Sequence, residues 1–345
     1  MRNFSTILAC SLSVFLNCVD PIEIDNIDRS RSVPVIEGFI TDQPGPHTIK
    51  LSYSTEFTDR FYTPITGASV VLSGSDNHQE RFVELTEGTY ISSTSFSAIP
   101  GTVYTLEISI GEDTYLSSEV GLKKGQPLNA IEFREDAIPS LNYYGDIKYV
   151  KGVRLFAPIK NHDKTENYYS YKVIPTYLFE AERADENGPN RWCYVTISDK
   201  TFNILKDRKG GFNHDISFYG FSDKFLHTFS FLVQQYSMTK EAYDFWEKVK
   251  NMLANTGGLF DRPPFTIRGN MRHRSDETKE MLGLFSVYSL TEKRVFIHGY
   301  NLSYIPFIQE DYCFPLFPPV PPECLDCRKK EGGRAVTNTK PDWWP

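Results

Sequence analysis

A chain of 345 residues, 40% hydrophobic and 23% charged, is too long for one ordinary domain and too apolar to be disordered. Lys and Arg number 37 against 44 Asp and Glu, and a formal net charge of -7 argues against a polyanionic partner, so no nucleic-acid binding is expected. No apolar run reaches the roughly 20 residues that a bilayer-spanning helix needs. The composition therefore predicts a globular protein of two domains, with or without a tail.

Residues 1–17 have the composition of a lipoprotein signal peptide. Arg2 supplies a short positive region, and a mostly apolar stretch from Thr6 to Leu16 ends close to Cys18. A cysteine in this place can be acylated on its sulfur and, after cleavage, on its amine, and three acyl chains suffice for stable anchoring. We therefore predict lipidation at Cys18 and contact with a lipid bilayer. Two alternatives stay open: "ILAC" offers Cys10 behind a shorter apolar core, and a plain signal peptide is cut near Cys18 without lipidation.

Residues 18–32 form a polar segment without clear periodicity, which is typical of a tether. Its acidic side chains are Asp20, Glu23, Asp25 and Asp28. An acid-rich run directly after the lipidated cysteine resembles the surface-export signal of Bacteroidota lipoproteins. The resemblance implies display on the extracellular face of an outer membrane, and the alternative interpretation is a solvated tether alone.

Residues 33–122 carry closely spaced strand signals. Tyr104, Leu106 and Ile108 alternate with polar residues, as in a half-buried strand, and "DQPGP" is one of several turn clusters. Strands that arrive about every ten residues, with Gly, Pro, Asp or Asn between them, are typical of an antiparallel sandwich. We predict an immunoglobulin-like or transthyretin-like β-sandwich, followed by the linker "GLKKGQPLNA".

Residues 128–308 are predicted to form a second β-rich domain that carries one amphipathic helix at about 238–255. The apolar residues with helical spacing are Ala242, Phe245, Trp246, Val249, Met252 and Leu253. Ser237 or Thr239 can cap the start of this helix, and Gly257 can end it. We expect the helix to pack against a sheet.

Residues 309–345 form a tail that is dense in Pro, Gly and Cys, so cross-links or docking must order it. After cleavage before Cys18, four thiols remain: Cys193, Cys313, Cys324 and Cys327. An even number of cysteines beyond the inner membrane favours disulfides. The motif "CLDC" lacks the surroundings of a redox site, so we expect Cys193 and Cys313 each to pair with one of its cysteines. A zinc site of all four is the alternative.

No catalytic, metal-binding or cofactor motif is recognisable. The chain has no H-E-x-x-H, P-loop, G-x-G-x-x-G or G-x-S-x-G pattern, and its seven histidines are scattered singly. We therefore expect no cofactor, no metal and no enzyme activity, and an extracellular hydrolase whose carboxylates converge only in space is the enzymatic alternative. The 25 Phe and 20 Tyr residues suit strand-rich cores, or else an aromatic surface for sugars, peptides or a protein partner.

Five stretches spread over nearly the whole mature chain carry a family resemblance. They are "CVDPIEID", "VIEGFITDQPGPHTIKLSYS", "PITGASVVL", "QYSMTKEAYDFWEKVKNMLANTGGLFDRPPFTIRGN" and "PPECLDCRKKEGGRAVTNTKPDWW". Together they resemble a family of Bacteroidota lipoproteins that is classed as a domain of unknown function. Members of that family are typically encoded beside a TonB-dependent outer-membrane receptor of the SusC type.

The resemblance implies a function and a partner. It implies an outer-membrane lipoprotein that binds a TonB-dependent β-barrel receptor and assists nutrient uptake, with Cys18 as the lipidation site and the tail cysteines as cross-links. A structural or scaffold subunit of an outer-membrane complex is the alternative. No residue pattern points to a particular ligand, whether small molecule or polymer.

Overall fold

The computed structural model describes residues 32–55, 62–160, 166–198, 203–207, 212–254, 266–303, 312–314, 319–333 and 335–345. Within these ranges the chain is mainly β, with 19 strands in two hydrogen-bonded sheets and few helices, so the predicted fold class is confirmed. No helix there is long and apolar enough to cross a membrane. The predicted signal peptide, nearly all of the acidic tether and the lipidation site Cys18 lie outside the described residues.

The first β-sandwich is built mainly from nine strands that follow the tether. They are β1 (Pro34–Thr41), β2 (Thr48–Tyr53), β3 (Thr63–Pro64), β4 (Ser69–Gly74), β5 (Gln79–Thr86), β6 (Thr89–Ile91), β7 (Val103–Ile110), β8 (Asp113–Ser117) and β9 (Val120–Gly121). One layer runs β8-β7-β4-β5 and the other runs β5-β6-β2-β1, because the two halves of β5 pair with different strands. The alternating residues Tyr104, Leu106 and Ile108 are at most 1% exposed, as their pattern predicts.

The second β-sandwich follows the linker. The elements of this region, in chain order, are β10 (Glu132–Leu141), β11 (Ile147–Ile159), β12 (Tyr168–Glu180), β13 (Trp192–Thr196), β14 (Asn203–Lys206), β15 (Phe212–Gly220), β16 (Thr228–Met238), the helix α1 (Lys240–Ala254), β17 (Met271–His273) and β18 (Leu282–His298). One layer runs β18-β16-β12-β13, with β14 beside β12, and the facing layer is β10-β11-β15. The core between them is aromatic: the rings of Phe229 and Phe231 lie 4.3 Å apart between centroids.

Strand β18 is 17 residues long and belongs to both sandwiches. Its first half lies parallel to β1, with Leu282 opposite Val35, and its second half lies antiparallel to β16. Gly283 permits the close approach to β1, because its φ is +94° and a Cβ there would lie 2.0 Å from the carbonyl oxygen of Ile36. The two sandwiches therefore share one continuous strand.

The first core also takes in residues from far along the chain. Strand β17 pairs with β8, and Met271, Met281, Phe285 and Val287 all pack in the first hydrophobic cluster. In the sequence-based prediction these residues belong to the second domain, 128–308. The first sandwich thus depends on a late segment of the chain, which a boundary near residue 122 does not include.

Helix α1 lies within the range predicted for it. The Thr239 hydroxyl accepts the backbone N–H of Ala242 at 3.2 Å and so caps the first turn. Ala242 is 3% exposed and packs in a small cluster with Tyr288, at the junction of the two sandwiches. The helix therefore covers the place where the sandwiches join. Its predicted stop, Gly257, lies outside the described residues.

Two disulfides hold the tail. Cys193 in β13 is bonded to Cys327, and Cys313 is bonded to Cys324. Each bond joins one distant cysteine to one cysteine of "CLDC", as expected, and the zinc alternative is wrong because all four sulfurs are in disulfides. The remaining short elements are α2 (Pro322–Leu325), β19 (Val336–Thr337), and 3-10 turns at Asp223–Phe225, Gly299–Asn301 and Cys327–Gly333. Strand β19 pairs with β13, so the tail extends the larger layer of the second sandwich.

Candidate functional site

A long hairpin projects from the second sandwich. Strands β10 and β11 pair from Glu132 opposite Phe156 out to Leu141 opposite Ile147. Strand β15 supports β11 only from Gly152 inward, so the outer part of the hairpin has two strands and no third. The described part of the chain therefore contains a two-stranded arm that extends beyond the core.

The turn of this arm is specified by its own residues. The Asn142 side-chain oxygen accepts the backbone N–H groups of Tyr144 at 2.9 Å and of Asp146 at 2.8 Å. Gly145 has a φ of +86°, a conformation that glycine adopts without strain. An asparagine that organises the loop and a glycine with positive φ are typical of hairpin turns, so the tip is a formed structure.

The tip of the arm exposes a cluster of large apolar and aromatic side chains. Tyr143 is 96% exposed, Tyr144 85%, Leu141 71%, Tyr149 70% and Ile147 66%. Leu141 and Ile147 face each other across the strands, and Tyr149 lies two positions further along the same face. Exposed apolar surface concentrated in this way, outside any core, is a feature that interaction sites share. We call these five residues the hairpin tip.

The base of the arm is held by an ionic clamp across three strands. Arg154 in β11 contacts Asp136 in β10 at 2.7 Å and Asp215 in β15 at 2.8 Å. The hydrogen bond from Arg154 holds the pKa of the Asp136 carboxyl below its ordinary value. Glu135 accepts the backbone N–H of Ser303 at 2.7 Å, which ties the arm to the chain that follows β18. The arm therefore leaves the sandwich in a defined direction.

The hairpin tip lies at the opposite end of the molecule from the start of the described chain. Strand β18 begins beside β1 and ends at His298, opposite Thr228. Its 17 residues span about 55 Å at the rise of an extended strand. The base of the arm lies near the His298 end, because the Phe221 N–H donates to the carbonyl of Lys151 just before β16 begins. The first described residues and the base of the arm thus lie near opposite ends of β18.

The tip is also nearly uncharged. In residues 137–150 the only charged side chains are Asp146 and Lys148, one of each sign. A surface of this kind offers little to a polyanion or to anionic lipid headgroups, both of which require clustered Lys and Arg. Tyrosine-rich patches of this type are enriched in protein interfaces.

A second group of polar residues is buried between the layers of the second sandwich. The Tyr171 hydroxyl lies 2.9 Å from Nδ1 of His214 and donates to Oε1 of Gln235 at 2.8 Å. The Asp207 carboxylate lies 3.7 Å from Nε2 of His214, and neither of its oxygens has a hydrogen-bond partner among the described residues. His214 and Asp207 are 1% and 2% exposed, so a substrate cannot reach them in this conformation. We interpret the group as part of the core.

Acid is expected to weaken the fold through buried histidines. Burial lowers the pKa of His47 and of His214, and for His214 this effect outweighs the attraction of Asp207. The unfolded chain takes up protons near the ordinary histidine pKa of about 6.5, before the folded chain does, so stability falls as the pH drops below that value. We expect the urea concentration at the unfolding midpoint to decrease when the pH is lowered from about 7.5 to about 5.5. His214→Gln should make this decrease smaller.

The control for this experiment is His78→Gln, because the His78 side chain is 51% exposed. This variant should keep the full pH dependence of the urea midpoint, followed by intrinsic fluorescence. An equal pH dependence in His214→Gln and in the unmodified protein would contradict the role of the buried imidazole.

The predicted site residues do not converge on one place. Cys193 in β13 and the three tail cysteines are joined in two disulfides, and Cys18 lies outside the described residues. Among the residues that the structure describes, no group of His, Cys, Asp and Glu is arranged to hold a metal ion. The sequence-based predictions do not include strand β10 or the hairpin tip. The signal was present in "AIPSLNYYGDIKYV", where apolar residues flank an Asn-to-Gly turn.

A comparison with known protein families finds a match that covers most of the chain. A family model described as a domain of unknown function, DUF4249, matches residues 19–294. The chain belongs to this family. The DUF4249 match includes the first sandwich, the hairpin arm, helix α1 and most of β18, whereas the disulfide-linked tail lies beyond it. A search of curated proteins finds no match to the chain.

Proposed function

We propose that this protein is a lipid-anchored subunit on the extracellular face of an outer membrane, where it assists a SusC-type TonB-dependent receptor in nutrient uptake. The apolar stretch that ends near Cys18 and the acidic run behind it support the anchor and its exposure. The resemblance to Bacteroidota lipoproteins supports the choice of partner. In this proposal the protein binds and positions, and it carries out no reaction.

The observation that carries the proposal is the hairpin tip. Five large apolar side chains, each at least 66% exposed, extend on an arm with a defined turn and a clamped base. A protein gains nothing in stability from such exposure, so the arm is suited to burial against a partner. Aromatic anchors of this kind supply most of the binding energy at interfaces.

The position of the tip favours a protein partner over the bilayer. The start of the described chain lies beside the first residues of β18, and the base of the arm lies near its last residues, about 55 Å further along an extended strand. An anchor at Cys18 therefore leaves the tip free to reach the outer part of a neighbouring membrane protein. The scaffold alternative involves the same surface. It differs from the uptake proposal in one expected outcome: a scaffold subunit that no longer docks leaves nutrient uptake unchanged.

The experiment is co-purification of the full-length lipidated protein from gently solubilised membranes. We expect a large β-barrel protein to be recovered with it. The double variant Leu141→Ser and Ile147→Ser should reduce the recovered partner about tenfold, because it removes two anchors from the centre of the tip. The amount of partner is measured by quantitative mass spectrometry.

The matched control is the double variant Val83→Ser and Leu85→Ser in β5. These residues are 64% and 65% exposed, close to the 71% and 66% of Leu141 and Ile147, but they lie on the first sandwich. Partner recovery should be unchanged in this control. Equal recovery in both double variants would rule out docking through the hairpin, and recovery of the unmodified protein alone in several mild detergents would rule out the stable partner.

A further inference from the structure

A groove opens at the side of the second sandwich, where the two layers diverge. It has a volume of about 300 Å³ and lies between the end of β15 and the adjacent parts of β12 and β13. Its apolar lining is formed by Pro175, Ile197, Phe218, Phe225 and Phe229. Phe225 and Phe229 are each 1% exposed and form the floor, so the groove leads directly onto the aromatic core.

The polar groups of the groove lie at its rim. Lys224 lines it, with its ammonium 5.7 Å from the centroid of the Tyr177 ring. Among the described residues Lys224 forms no ion pair within 4.0 Å, and the neighbouring Asp223 instead contacts Lys330 at 3.4 Å. Ser198, Ser217 and Ser222 also line the groove. The rim therefore combines one cation with several hydrogen-bonding groups.

We propose that this groove binds a small amphiphile with an apolar, preferably aromatic, body and one anionic group. The apolar body would rest on the Phe225 and Phe229 floor, and the anionic group would contact Lys224 and the serine hydroxyls. An apolar lining with a few convergent polar groups is the usual composition of a small-molecule site, and about 300 Å³ is at the lower end of the range for such sites. This inference is independent of docking through the hairpin tip.

The charge of the rim decides the class of ligand. An ammonium that lies beside an aromatic ring and forms no ion pair can donate a charge-assisted hydrogen bond to an anion that brings its own apolar surface. A neutral apolar molecule would fill the groove but leave Lys224 without a counter-charge. The anionic amphiphile satisfies both parts of the groove.

Two fluorescent probes of nearly the same shape test the assignment on the full-length protein. The sulfonate 1-anilinonaphthalene-8-sulfonate has the anionic group, and N-phenyl-1-naphthylamine lacks it. Lys224→Met should raise the Kd of the sulfonate probe about tenfold, as expected for loss of one charge-assisted contact, and leave the Kd of the neutral probe unchanged. Ser217→Phe, which fills the groove, should weaken both probes about tenfold or more.

The control variant is Lys172→Met, which removes an exposed lysine of β12 from the same sandwich. It should leave both Kd values unchanged. All titrations are made in the Leu141→Ser, Ile147→Ser background, so that probe bound to the hairpin tip is not counted, and each variant is first shown to keep the thermal midpoint of that background. Equal effects of Lys224→Met and Lys172→Met on the sulfonate probe, or unchanged binding in Ser217→Phe, would overturn the proposal.

Discussion

A fragment of residues 32–122 is expected to remain unfolded in isolation, although it contains all nine strands of the first sandwich. The fragment lacks Met271, Met281, Phe285 and Val287, which are at most 3% exposed in the first core. Burial of each side chain is worth about 1.5–3 kcal/mol, so their loss removes about 6–12 kcal/mol, as much as the whole stability of an ordinary domain. The loss of β18 also leaves β1 as an unpaired edge.

The measurement is far-ultraviolet circular dichroism together with the dispersion of amide signals in a proton–nitrogen correlation spectrum. A dispersed spectrum with a cooperative urea transition for the 32–122 fragment would contradict the shared-strand architecture and support the sequence-based boundary near residue 122. In the full-length protein, Phe285→Ala should lower the free energy of unfolding by about 3–5 kcal/mol. Phe133→Ala is the matched control, because Phe133 is 38% exposed in β10, and it should change this free energy by less than about 1 kcal/mol.

Removal of the disulfide between Cys193 and Cys327 is expected to be the most damaging change in the tail. The bond joins residues 134 apart in the sequence, so in the chain-entropy model it restricts the unfolded state by about 5 kcal/mol. The tail also packs through Trp344, which is 7% exposed and lies 4.9 Å from the Tyr194 ring between centroids. The double variant Cys193→Ala, Cys327→Ala should therefore lose both the restriction and part of this docking.

The other disulfide supplies the internal control. Cys313 and Cys324 are only 11 residues apart, and the same model assigns their bond about 3 kcal/mol. We expect the urea midpoint of Cys313→Ala, Cys324→Ala to lie between those of the unmodified protein and of the Cys193 variant. Equal midpoints for the two double variants would show that loop length does not govern the contribution of these bonds.

Local pattern was sufficient for the type of several elements, although strand β10 was not among them. The strict alternation of Tyr104, Leu106 and Ile108 determined which face of β7 is buried, because side chains in a strand alternate between the two faces. Helical spacing and the Thr239 cap likewise determined α1, since both depend on residues only a few positions apart. The pairing of each distant cysteine with "CLDC" followed from an even count and from the short spacing inside that motif.

Only the tertiary structure decided how the elements associate. The apolar pattern of β1 is the same whether its neighbour is β2 alone or also β18, so no local signal indicates that a strand from the far end of the chain completes the first sandwich. In the same way, Leu141, Ile147 and Tyr149 read as ordinary core residues of a hairpin. They are exposed because β15 ends at Gly220, opposite Gly152, and no other described strand covers the arm beyond that point. A side chain is buried only where another element packs against it. The sequence by itself determined most of the strands, whereas the tertiary structure decided which elements pack against each of them.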